Sequence, residues 1–198
     1  MTAEPAPSRP LALVPPTENV VDWRAEQVLR RWDPEHQLIG ALMHLPCAAA
    51  APILELVPDE AVCHPESRWA LEVIRALVAD GRDPDPVVVL HTARQQPPTD
   101  AAHPEEAVTP GRHHRLAVHL AGIYTQALAP GATRQYAREV LDDAFRRAVA
   151  FHGVRMQQLA ETGAGRDDLT DYLTAMRADL ADLWRRARAA ALPADRTA

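Results

Sequence analysis

Apolar residues recur at three- and four-residue intervals through most of this 198-residue chain, and prolines cut the pattern into short segments. Leu38, Ile39, Leu42 and Met43 form one such stripe, the spacing of a helix face. Asp33 is a good N-cap ahead of it, and Pro34 fits the first helical position, where its missing N–H costs nothing. This predicts a first helix from Asp33 to Pro46, with a weaker helical turn over Val21–Arg31 before it. Pro52 marks the start of a short second helix over Ile53–Val57. Pro65 opens a third, with Trp69, Val73, Ile74 and Leu77 on one face and Gly81 as its C-terminal cap. Asp85-Pro86 repeats the cap-then-proline start for a fourth helix running to about Gln95.

Leu116, Leu120, Ile123 and Tyr124 mark a fifth helix, broken at Pro130-Gly131. Thr133 is placed to cap a long sixth, whose Tyr136, Val140, Leu141, Phe145, Val149, Val154 and Leu159 make a broad apolar face. Gly163-Ala164-Gly165 is a hinge. A seventh helix from about Asp167 carries Leu169, Tyr172, Leu173, Met176, Leu180, Leu183 and Trp184, and folds back on the sixth. The expectation is an all-α protein: a disordered Pro-rich tail at 1–20, a helical globule over 21–130, a helical hairpin over 131–190 and a tail at 191–198. Within the globule, residues 96–110 hold Pro97, Pro98, Pro104 and Pro110 and predict a flexible loop. The two long helices bear more apolar surface than a hairpin alone covers, so Leu173, Met176, Leu180, Trp184, Phe145 and Val149 are candidate interface residues for self-association.

Composition narrows the function. Ala, Leu, Arg and Glu favour helix. With aromatics at 5%, the core must rest on Leu, Val, Ala and four Trp. A net charge of −6 argues against a nucleic-acid surface, so weak or no direct nucleic-acid binding is expected. All 21 basic residues are Arg, and without lysine there is no Gly-x-x-x-x-Gly-Lys-Ser/Thr phosphate loop. Two cysteines make no disulfide framework. No apolar run approaches the ~18–20 residues that span a bilayer, and Met1–Pro16 has no signal-peptide core. A cytoplasmic protein with no membrane association is expected.

Side chains that carry chemistry are few. His44, Cys47, Cys63 and His64 suggest zinc, but adjacent Cys63 and His64 rarely chelate one ion, and a structural role is favoured. His113, His114 and His119 with Glu105 and Glu106 do not share a helix face, and a solvated cluster is the simpler reading. No catalytic, cofactor or metal residue is therefore assigned. Arg146-Arg147 and Arg185-Arg186-Arg188 read mainly as solvated faces beside upstream acids such as Asp142 and Asp182.

The order Pro34-Glu35-His36-Gln37-Leu38-Ile39-Gly40-Ala41-Leu42, the turn Val62-Cys63-His64-Pro65, the Trp69–Leu77 helix and the Gly81 break resemble the N-terminal domain of DnaB-type replicative helicases. Tyr136-Ala137-Arg138-Glu139-Val140 with Phe145-Arg146-Arg147 is similar to that family's Tyr-Ala-x-x-Val…Arg-Arg helix. Three features depart from the pattern: Val62-Cys63 replaces an aromatic pair, Ser67 a histidine, and the 96–110 loop a Gly-rich turn. The resemblance implies an all-helical globule with a hairpin that pairs with a second copy, builds a ring collar, and docks a primase, loader or replicative helicase. ATP hydrolysis belongs to a separate motor domain in that family. The resulting expectation is a non-catalytic oligomerisation and docking scaffold in DNA replication. Rival readings are an accessory regulator of a complete helicase and a small helical DNA-binding regulator, the latter opposed by the acidic charge.

Overall fold

Local cap chemistry starts and stops most of the helices. The computed structural model describes residues 32–99 and 108–192; the expected tail at 1–20, the turn over Val21–Arg31, residues 100–107 of the 96–110 loop and residues 193–198 fall outside them, while Ala191, expected in the tail, ends the last helix. Among the described residues every regular element is helical.

Helix α1 (Pro34–Leu42) is capped by Asp33, whose carboxylate accepts from the Glu35 and His36 amides at 2.7 and 3.4 Å. It stops at Leu42, short of the expected end at Pro46. Pro46 instead stands as the N-cap of α2 (Cys47–Leu54), and Pro52 lies inside that helix, not at its start. The lost bond is tolerable, because the carbonyl that Pro52 cannot reach belongs to exposed Ala48 and can take water. A 3-10 turn follows at Asp59–Ala61. Helix α3 (Pro65–Ala79) closes at Gly81, whose φ of 72° allows the Gly81 and Arg82 amides to bond back to Val78 and Leu77.

Helix α4 (Pro86–Thr92) is capped by Asp85 and ends a turn before Gln95. Helix α5 (Pro110–Gln126) is capped by Thr109, and a 3-10 turn at Pro130–Ala132 leads into α6 (Thr133–Glu161). Thr133, expected as the cap, is the buried first residue of α6, and Ala132 holds the cap position without a side-chain bond. Gly163 (φ 71°) and Gly165 turn the chain into α7 (Arg166–Ala191), where the Gly165 amide donates to Asp168.

Helix α1 is the centre of the globule, packed by α3, α5 and the first half of α6. Leu38, Ile39, Ala41 and Leu42 are wholly buried, with Trp69, Leu71, Ile74, Leu116 and Leu141 around them. Gly40 is required by contact: a Cβ there would stand 2.6 Å from the Ile123 carbonyl oxygen. Some buried polar side chains serve the backbone. Gln37 donates to the Gln126 carbonyl and accepts from the Leu128 amide, closing the end of α5. Trp69 donates to Gln96, and Thr99 binds Glu72, so the first residues of the expected flexible loop are pinned.

Candidate functional site

The sixth and seventh helices form the expected hairpin, but its two halves differ. Ala137, Val140, Leu141 and Ala144 of α6 are buried in the globule, whereas beyond Ala144 its side chains are largely exposed, Arg147 alone still reaching the globule by hydrogen bond and ion pair among the contacts described. Phe145 meets Trp184 across the hairpin with ring centroids 6.5 Å apart. Moving four residues outward on each antiparallel helix sets Val149 level with Leu180, and the same face continues to Met176 and Leu173. Phe145, Leu173, Met176 and Leu180 are half-buried, while Val149 and Trp184 keep 46% and 57% of their surface exposed. All six candidate residues thus lie along one flank, and none is closed off from solvent. Met156, which the apolar pattern did not single out, belongs to the same stripe. Val154, counted on that face from sequence, is 57% exposed and a half-turn away around the helix.

The interior of the projecting part is polar. His152 is buried between the helices with Nδ1 2.7 Å from the Tyr172 hydroxyl and Nε2 3.0 Å from Asp179. The arginine groups also differ from expectation, because several are tethers and not solvated faces. Arg186 donates to the Glu55 and Leu56 carbonyls at the end of α2 and to Asp182 at 2.6 Å. Arg147 donates to the Ala61 carbonyl and lies 3.5 Å from Glu35. Arg134 donates to Ala189, while Arg185 and Arg146 pair with Asp182 and Asp143. The Arg186 hydrogen bond holds the Asp182 carboxyl below the usual carboxylate range, against desolvation pulling the other way. These guanidinium groups are engaged with carbonyls and carboxylates, whereas Arg188 of the same group is exposed.

The histidines sort themselves by tertiary structure. His44 stacks on Tyr124, its ring centroid 4.1 Å away, the Cys47 amide binds Asp83, and Cys63 is exposed. His113 binds the Leu90 carbonyl, and His114 is exposed. Only His64, of the four residues weighed for zinc, joins a cluster of potential ligands among the described residues, and its companions are His36 and His119. His36 rides on the first turn of α1, His64 caps α3, and His119 sits midway along α5. One ring nitrogen from each lies within 4.8 Å of the other two. The His64 and His119 rings stack at 4.9 Å, and His36 stands edge-on to both. Beneath them Glu35 accepts from the Cys63 and His64 amides at 2.8 and 2.9 Å.

No protein-family model matches the sequence, and no curated protein matches it. Among solved structures, the chain is similar to the N-terminal domain of DnaB helicase from Mycobacterium tuberculosis, with a TM-score of 0.56 and 20% identity over 75% of this chain and 95% of that one. The chain therefore carries a DnaB N-terminal-like helical fold.

Proposed function

We propose that the chain is a non-catalytic assembly domain that self-associates through the flank of its hairpin and presents its globule to a partner of the replication machinery. The observation that carries this reading is the stripe from Phe145 and Trp184 to Leu173, apolar yet open to solvent along a projecting hairpin. In a two-fold contact the same patch meets itself, so an apolar stripe is its own complement. Trp184, large and more than half exposed, is the natural anchor. The link to replication, and to a helicase, primase or loader as partner, rests on the likeness to a DnaB N-terminal domain. Within these 198 residues the absence of lysine removes a P-loop, so any motor would have to act from elsewhere.

Sedimentation at about 100 μM, far above typical dimer dissociation constants, should show a dimer or larger species. Trp184→Ala should weaken that association by about 2 kcal/mol or more while changing monomer stability by less than about 1 kcal/mol. A strict monomer at that concentration would sink the proposal. So would a variant that associates normally but melts early, which would make Trp184 core.

A further inference from the structure

We propose that His36, His64 and His119 bind a divalent transition metal ion that favours imidazole, with zinc(II) as the reference case. Three residues far apart in sequence, on α1, at the cap of α3 and on α5, bring their donor atoms within 4.8 Å of one another. Zn–N bonds of about 2.0–2.1 Å in a tetrahedron place ligand nitrogens about 3.3 Å apart, so the donors must close by about 1.5 Å at most. Ring rotation supplies this. The planes of His64 and His119 are 8° apart, and turning the His64 ring about its Cβ–Cγ bond would bring its nitrogens toward a centre shared with His119, which keeps its Ser67 contact. The His36 ring, at 71° to both, already faces across them.

The surroundings suit ligation. Ser67, wholly buried, sets its Oγ 2.9 Å from His119 Nε2, the kind of outer hydrogen bond that fixes tautomer and orientation in a ligating imidazole. The buried His64 Nδ1 makes no hydrogen bond. Glu66 lies 3.4 Å from it, close enough for an ion pair were the ring protonated but without hydrogen-bond geometry. Glu66 or water would complete the coordination sphere. The starts of α1 and α3 oppose a cation through their dipoles, and Glu35 and Glu66 counter them, although Arg147 and Arg115 in turn draw on those carboxylates at 3.5 and 3.9 Å. A bound ion would cross-link the three helices of the globule, independently of the hairpin flank.

The test uses the untagged full chain, stripped with a chelator and titrated with Zn2+ by calorimetry and with Co2+ by visible absorption. The expected result is saturable 1:1 binding at about micromolar Kd or tighter, with a four- or five-coordinate Co2+ spectrum and a higher melting temperature. His64→Asn and His119→Gln should each weaken binding roughly tenfold or more, while His44→Gln and His114→Gln leave it unchanged, with circular dichroism checking the fold. Should one variant misfold, the other and the wild-type Co2+ spectrum decide. No saturable 1:1 binding, or full affinity in a folded His64→Asn or His119→Gln chain, overturns the site.

Discussion

The globule buries a broad apolar core together with several polar side chains, whereas the projecting hairpin buries little, and what α6 buries there is polar. In the globule, α1 is enclosed by apolar side chains, and two of its buried polar residues, Glu35 and Gln37, bond backbone amides and carbonyls. In the hairpin beyond Ala144, the buried residue of α6 is His152, with Tyr172 and Asp179 as its partners, while Val149, Phe151 and Val154 expose about half their surface or more. The hydrophobic effect therefore holds the globule together, whereas directional bonds set the hairpin's register and leave apolar surface available to something else.

The sharpest way to break this comparison is to truncate one side chain in each region. Trp69→Ala should cost about 3–5 kcal/mol in urea unfolding, because it empties a fully buried site and forfeits the bond to Gln96. A cost as small as that of a hairpin substitution would show that the globule does not carry the stability. His152→Leu should cost less, about 1–2 kcal/mol, since it trades two hydrogen bonds for some packing and leaves the Tyr172 hydroxyl to find water. Hydrogen exchange should show the loss locally along α6 and α7, and unchanged protection there would make the polar network incidental.

The smallest effect is electrostatic. Asp182 has its folded-state pKa lowered by Arg186, so its contribution is present above the unfolded value of about 3.9 and disappears as pH falls through the lower folded value. The pair is partly exposed, which limits it to about 0.5 kcal/mol. Wild type should exceed Asp182→Asn in stability at neutral pH, with the gap closing in acid below about pH 3.9. A gap that persists there would mean that hydrogen bonding to the neutral carboxyl suffices.

What the sequence revealed follows from the range of the interaction. Caps and turns depend on neighbours, so Asp33, Asp85, Gly81 and Gly163 could be placed from their immediate context. The α2 start was misplaced because Pro46 and Pro52 compete for one helix start, and only packing decides that Ile53 and Leu54 belong to a helix begun at Cys47. The apolar stripes of the two long helices were legible because one period of 3.6 residues writes them along each helix. The histidine cluster was not: His36, His64 and His119 meet only once α1, α3 and α5 pack, and no local spacing records that. The arginine tethers were hidden for a similar reason, because backbone carbonyl acceptors such as those of Glu55 and Ala61 leave no residue signature.

Helix α6 runs without a break from Thr133 to Glu161, so its enclosed half and its projecting half are one rod. At 1.5 Å per residue the part beyond Ala144 reaches about 25 Å. With no joint along that length, a partner that pulls on the tip pushes on α1, and a tilt of about 5° displaces the tip by about 2 Å. A load applied at the far end of the hairpin would therefore be carried along a single unbroken helix into the half that packs on α1.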